Sequence, residues 1–347
     1  MGRSLASMTT RALVTGASGQ IGSELVPLLK ERYGRDNVYP TAFPPQTLKG
    51  LRWHAEVLDV TDYQSVADAI KRNDINTVFH LGGILSANGE KDPQLAWQVN
   101  IGGLKNVLDA SRVLGVSRVF WPSSIAVYGP DAKRTATPQS SPLNPTTMYG
   151  VTKVAGELLC SYYFQKYGLD VRCLRYPGII SSETPPGGGT TDYAVAMFYA
   201  AVAGETYVCF VSPQTTLPMM YMADALNACL LLMGATPESV RRHSGYNLAA
   251  VSFSAGDLAG AITRRVPGFR VEYAPDSRQK IADTWPVSID DSEARKDWGW
   301  KHEYGLVKMV DEMLTRLGSH GDPDRKTVKP RPSSLGASDD AQPNLLP

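Results

Sequence analysis

Tyr149 and Lys153 stand four residues apart in the run Tyr149-Gly150-Val151-Thr152-Lys153. On a helix that spacing puts both side chains on one face, one turn apart. A lysine ammonium beside a phenol favours the phenolate, which predicts a tyrosine pKa lowered toward neutral. Such a tyrosine takes a proton from an alcohol or gives one to a carbonyl. A solvated i,i+4 surface pair has the same spacing, so the chemistry depends on what else the chain places beside it.

The first such feature is near the N-terminus. Arg11-Ala12-Leu13-Val14-Thr15 reads as a short buried strand. It runs into Gly16-Ala17-Ser18-Gly19-Gln20-Ile21-Gly22 and then an amphipathic segment carrying Leu25, Leu28 and Leu29. Strand, glycine-rich turn and helix together form a pyrophosphate cradle. The glycines permit the turn and a close backbone approach, and the helix N-terminus offers free N–H groups. A merely flexible glycine turn is the bland alternative, and the flanking strand and helix argue against it.

Strand patterns at 11–15, 37–41, 52–58, 76–81, 117–123 and 170–176 alternate with helical patterns at 20–33, 62–73, 92–114 and 146–167. This alternation predicts an α/β fold, a doubly wound parallel sheet of Rossmann type, with right-handed crossovers. Ligands then lie beyond the carboxyl ends of the strands, where Thr15, Ser124 and Arg175 stand. Residues 11–177 read as the dinucleotide-binding domain. Residues 178–318 read as a smaller C-terminal α/β substrate lobe interleaved with the main sheet, with helices at 190–203, 223–234, 254–264 and 303–317. Ser254-Ala255-Gly256-Asp257 has capping-box spacing with Asp in place of Glu. Residues 319–347 are poor in apolar side chains and read as a disordered tail.

Composition excludes several classes. The 347 residues carry 35 basic and 34 acidic side chains, a net charge of +1. That balance gives no electrostatic case for nucleic acid or an anionic membrane. No apolar run approaches the ~20 residues that span a bilayer. Cys160, Cys173, Cys209 and Cys229 are scattered in apolar segments and read as buried free thiols. The histidines and cysteines show no metal-ligand spacing, so no metal is expected.

The turn spacing, Gly-x-x-Gly-x-x-Gly, together with Tyr149 and Lys153, resembles the extended, epimerase-like branch of the short-chain dehydrogenase/reductase superfamily. Other landmarks agree over roughly residues 11–318: Leu58-Asp59-Val60, His80-Leu81-Gly82-Gly83, Asn100, Pro122-Ser123-Ser124 and Arg175-Tyr176-Pro177-Gly178. The resemblance implies NAD as cofactor, held by Gly16, Ser18, Gly19, Gln20, Ile21, Gly22, Asp59, Val60, Leu81, Asn100, Tyr149, Lys153 and Tyr176. It implies Ser124, Tyr149 and Lys153 as the catalytic set. Lys153 would lower the Tyr149 pKa and hold the nicotinamide ribose. NAD-selective members usually end the second strand in an acid. Here Val38-Tyr39-Pro40-Thr41-Ala42-Phe43 has none, nor an arginine for a 2′-phosphate.

Most of that branch handles nucleotide sugars. Pro186-Gly187-Gly188-Gly189-Thr190-Thr191, Leu217-Pro218-Met219-Met220-Tyr221-Met222, Ile281-Ala282-Asp283-Thr284-Trp285-Pro286 and Asp297-Trp298-Gly299-Trp300 instead resemble the short-chain-type L-threonine 3-dehydrogenases. That resemblance implies oxidation of L-threonine to 2-amino-3-ketobutyrate, with Tyr149 as base and Ser124 on the developing ketone oxygen. It implies Ser86, Ser123, Ser124, Tyr149, Gly187 and Thr190 as substrate positions. The glycine-rich loop before Thr190 would offer N–H and hydroxyl donors to a carboxylate. Ser86 and Thr190 also suit plain helix caps, and Trp285 suits a core. A nucleotide-sugar 4-epimerase or dehydratase, and a non-catalytic NAD-binding regulatory protein, are the competing readings. The intact Ser124, Tyr149 and Lys153 set argues against the second.

Residues 1–10 form an N-terminal extension. Met1 to Arg11 holds Arg3 and Arg11, several hydroxyl residues and no acid, the composition of a mitochondrial presequence. A cytoplasmic protein with a ragged start fits equally. By resemblance, helices 92–114 and 146–167 pair with their copies in a homodimer; Val154, Leu158 and Tyr162 stand at helical spacing on the second, a pattern that equally suits packing on the chain's own sheet.

Overall fold

The computed structural model describes residues 9–44, 51 and 53–319. The expected presequence and tail fall outside these residues, apart from Thr9, Thr10 and Ser319.

The main sheet has seven strands: β1 (Ala12–Thr15), β2 (Val38–Ala42), β3 (Glu56–Val57), β4 (Thr77–His80), β5 (Arg118–Ser124), β6 (Asp170–Tyr176) and, after three strands outside this sheet, β10 (Tyr246–Asn247). Their order is β10-β6-β5-β4-β1-β2-β3 and every pairing is parallel. The order in which strands are added reverses between β1 and β4, so the crevice beyond their carboxyl ends is the topological switch point. Strands such as β1 and β5 are buried along nearly their whole length, as apolar runs covered by helices on both faces must be.

Helices α1 (Gln20–Tyr33), α2 (Tyr63–Arg72), α3 (Ser86–Lys91), α4 (Pro93–Trp97), α5 (Gly103–Val113) and α6 (Met148–Tyr167) connect these strands. The predicted helix over 92–114 is real but interrupted. Gln98–Gly102 forms one π-helical turn between α4 and α5, with Asn100 at its centre. Such turns recur at functional sites. Helix α6 starts at Thr147, whose side chain accepts from the Gly150 amide, and stops at Gly168 in the left-handed region.

The remaining elements are β7 (Gly178–Ile180), α7 (Tyr193–Ala203), β8 (Tyr207–Cys209), β9 (Thr216–Tyr221), α8 (Met222–Gly234), β11 (Val251–Ser254), α9 (Ala255–Thr263), β12 (Val271–Tyr273), α10 (Ser277–Thr284), α11 (Ser292–Trp298) and α12 (Leu306–Ser319). They form a three-stranded sheet, β11-β9-β7, and a two-stranded one, β12-β8. The Ser254–Asp257 capping box is complete in both directions. Trp285 packs in the apolar core shared by α7, β9, α9 and α12. All four cysteines are buried and free.

Candidate active site

The glycine turn after β1 is shaped by close backbone approach. Gly16 has φ +66, and a Cβ there would sit 2.6 Å from the Gly82 amide nitrogen. A Cβ on Gly22 would sit 2.5 Å from the Gly16 carbonyl oxygen. Any larger residue at either position would push the turn away from the β4 loop or α1 away from the turn. Helix α1 starts at Gly19 with no side-chain cap, leaving its positive end to an anionic ligand. Ser18, Gln20 and Ile21 are half-buried along this edge, and the Gln20 side chain donates to the Ile179 carbonyl at 3.3 Å. An uncapped helix start behind glycines that tolerate no Cβ fits a dinucleotide's pyrophosphate. Farther along, Asp59 Oδ1 accepts from the Thr61 amide at 2.9 Å and its hydroxyl at 2.7 Å. Val60 packs where a Cβ on Gly103 would come within 2.7 Å.

Tyr149 lies in the first turn of α6 and Lys153 in the second. Two glycines seat this helix on β5 and on the turn that follows it. A Cβ on Gly150 would be 2.3 Å from the Ala126 carbonyl oxygen, and one on Gly156 would be 2.3 Å from the Trp121 ring. That seating brings Ser124, at the end of β5, beside Tyr149, and the Ser124 hydroxyl pulls the phenol's pKa down. Burial acts more strongly in the opposite direction and pushes Tyr149 up to about 12. The expectation of a phenol lowered toward neutral is therefore not met. The lysine explains why. Burial brings Lys153 down to about 8, and its ammonium donates to the Pro122 carbonyl at 2.7 Å. The Lys153 nitrogen lies 5.4 Å from the Tyr149 ring centroid and nearer, at 4.5 Å, to that of Trp121.

Several expected contacts are already engaged within the chain. Asn100 donates to the Ile84 carbonyl at 3.1 Å and to the Thr152 hydroxyl at 3.1 Å, and accepts from the Ile84 amide at 2.7 Å. It ties the loop after β4 to α6, and its amide is not free for a cofactor. The Tyr176 hydroxyl donates to the Ala225 carbonyl at 2.9 Å inside an apolar core, so its side chain does not reach the crevice. The Leu81 amide donates to the Thr15 carbonyl at 3.1 Å. Ser123 Oγ donates to the Glu157 carboxylate at 2.6 Å, which leaves this hydroxyl to the interior and not to a substrate. Residue types alone did not point to His80. It is fully buried, with Nδ1 2.7 Å from the Thr15 hydroxyl and Nε2 without a partner. Burial and the Lys153 charge bring it down to about 3.

Ser86 and Thr190 do come together. Their hydroxyls are 3.0 Å apart across 104 residues of sequence, and the Thr190 amide donates to Ser86 Oγ at 3.2 Å. Both are buried. The helix that carries Ser86 also adjoins Tyr149. Glu90, on α3 with Ser86, accepts from the Met148 amide at 2.7 Å, and a Cβ on Gly89 would lie 3.9 Å from the Tyr149 Cβ. The Gly187 carbonyl accepts from Asn88 at 3.2 Å. The glycine-loop amides are another matter. Gly188 and Gly189 donate to Asp192 Oδ2 at 2.8 and 2.9 Å, so the chain's own carboxylate occupies donors expected for a substrate's.

Residues 12–249 match the family described as the NAD dependent epimerase/dehydratase family. The mitochondrial L-threonine 3-dehydrogenase of Sus scrofa is 45% identical over 315 residues, covering 89% of this chain and 83% of that protein. A solved GalE-like L-threonine dehydrogenase from Cupriavidus necator, in its holo form, is 50% identical with a TM-score of 0.86, over 88% of this chain and 99% of that one. A monomeric L-threonine 3-dehydrogenase from a metagenome, in its apo form, is 48% identical with a TM-score of 0.86, over 90% of this chain and 100% of that one.

Proposed function

The chain belongs to the NAD dependent epimerase/dehydratase family, and on that premise we propose that it oxidises L-threonine to 2-amino-3-ketobutyrate with NAD. The observation that carries this reading is the buried Ser86–Thr190 hydroxyl pair, with Ser86 on α3, the helix whose Gly89 and Glu90 adjoin Tyr149 and Met148. Two hydroxyls on elements next to the proton acceptor suit a small polar substrate. Identity of 45–50% to proteins named L-threonine dehydrogenases supports the same substrate.

NAD is the cofactor, and its bound nicotinamide supplies the hydride acceptor. The Gly16–Gly22 turn and the start of α1 would hold the pyrophosphate, with Asp59 and Val60 toward the adenine. Tyr149 removes the proton from the substrate hydroxyl as its carbon loses hydride. Ser124 donates to the oxygen that becomes a ketone. Lys153 would hold the nicotinamide ribose. Ser86 and Thr190 receive the amino-acid end of the substrate. Absorbance of reduced nicotinamide tests the reading, with L-threonine, L-serine, L-allo-threonine and UDP-galactose offered separately. Signal with L-threonine alone is expected. No signal with any amino acid would favour the nucleotide-sugar reading, with its retained NAD.

Assembly as a homodimer through α4–α5 and α6 rests on their exposed apolar side chains. Leu158 is 65% exposed, Tyr162 50% and Trp97 46%, while Val154 packs inward. One similar enzyme is named monomeric, and light scattering on the purified chain decides between the two. Mitochondrial placement rests on the composition of residues 1–11 and on the Sus scrofa relative, a mitochondrial protein by name. Fusing those residues to a fluorescent protein tests it.

A further inference from the structure

Behind the catalytic trio lies a buried polar cluster. Glu157 is 1% exposed and Arg175 is 4%. Arg175 Nε and Nη2 each donate to one oxygen of the Glu157 carboxylate, at 2.8 and 2.7 Å. The same carboxylate accepts from Ser123 Oγ at 2.6 Å. A buried charge with this many hydrogen bonds is strongly localised, because leaving any member unpaired is costly.

Its position in the chain matters more than its strength. Glu157 lies on α6 one turn beyond Lys153 and two beyond Tyr149, on the helical spacing that puts all three on one face. Arg175 is the direct cross-strand partner of Ser123. Three consecutive residues of β5 are therefore all indexed to this region. The Pro122 carbonyl takes the Lys153 ammonium, Ser123 is fixed by Glu157, and Ser124 adjoins Tyr149. Gly245, at φ +122, closes over the pair, since a Cβ there would come 2.8 Å from Glu157 Oε1. Arg175 also reaches the Tyr128 hydroxyl at 2.9 Å. Tyr128 in turn donates to Asn247 at 2.6 Å, and Asn247 donates to the Thr137 and Asp290 carbonyls at 3.2 and 3.1 Å.

We propose that Ser123, Glu157 and Arg175 are positioning residues that set the register of α6 against the end of β5, and so the distance from Ser124 to Tyr149. The proposal rests on the dehydrogenase reading for its kinetic consequence, and its geometric part is testable without turnover.

The test uses Ser123→Ala and Ser123→Thr, which leave the buried ion pair intact, with Glu157→Gln as a harsher companion. Loosening a reacting geometry costs rate more than binding, so kcat for L-threonine should fall about tenfold in Ser123→Ala with KM for L-threonine unchanged, and recover in Ser123→Thr. The substrate-free readout is the Ala126 amide, which donates to Ser124 Oγ at 3.2 Å. Its hydrogen exchange, followed by NMR of alanine-labelled protein, should quicken in Ser123→Ala and return to wild type in Ser123→Thr. A wild type inactive on L-threonine but showing that exchange pattern would sink the substrate reading and keep the positioning role. A wild-type kcat and exchange rate in Ser123→Ala would overturn the proposal. So would a raised KM for L-threonine at unchanged kcat, which would make Ser123 a direct substrate contact.

Discussion

Lys153 directs its ammonium at the Pro122 carbonyl, 2.7 Å away, and not at Tyr149 on the preceding turn of the same helix. The i,i+4 spacing places the two residues on one face. The strand beneath decides where the charge points. Each is shifted chiefly by its own burial, the phenol upward and the ammonium downward.

The pH dependence follows from those two shifts. Tyr149 is held up at about 12 and Lys153 down at about 8. The phenol therefore stays protonated through the neutral range, and its base form grows as pH rises toward the Tyr149 value. A pH profile of kcat/KM should keep rising above pH 8. A profile flat between pH 8 and 10 would detach the Tyr149 phenolate from the rate.

Tyr149→Phe removes the proton acceptor while keeping the ring. Turnover should fall by about 10³-fold, within the usual range for a general base. NAD affinity, read by fluorescence titration, should change little. Turnover near wild type would dismiss Tyr149 as the base.

Ser86→Ala and Thr190→Val each remove one member of a buried hydroxyl pair. Each should raise KM for L-threonine about tenfold, the usual size of one good hydrogen bond to a charged partner. The double variant should fall short of the product of the two, since the hydroxyls contact each other. Unchanged KM in both would leave these residues only a structural tie between α3 and the loop before α7.

His80 bears on stability. It is held neutral in the fold at about 3, against 6.5 for an ordinary histidine. Below pH 6.5 the unfolded chain takes up a proton that the folded chain refuses, so stability is present above 6.5 and is lost as pH falls toward 3. The loss is up to about 5 kcal/mol for a shift of this size. Tm should drop over that window, and less steeply in His80→Asn. Equal slopes in the two proteins would remove His80 from the account.

The sheet was readable because its signals are local. Buried runs, a glycine turn and helical spacing fix β1, α1 and α6 within a few residues, and Thr147 and Gly168 close α6 with ordinary caps. The i,i+4 series also runs on from Lys153 to Glu157, a signal that could have found the positioning carboxylate. What escaped reading depends on contacts far apart in sequence. Ser123 looked like a substrate hydroxyl until Glu157 was placed 34 residues on. Tyr176 marks a strand end, yet its hydroxyl turns to Ala225 on α8. The loop amides of Gly188 and Gly189 seemed free donors because nothing in their composition shows that Asp192 folds back onto them.

L-threonine deuterated at its hydroxyl-bearing carbon tests the central claim most directly. With this chain and NAD, the deuterium should appear in the reduced nicotinamide, and turnover under single-turnover conditions should slow. Reduced nicotinamide free of deuterium, or none formed at all, would contradict hydride transfer from that carbon and with it the proposed reaction.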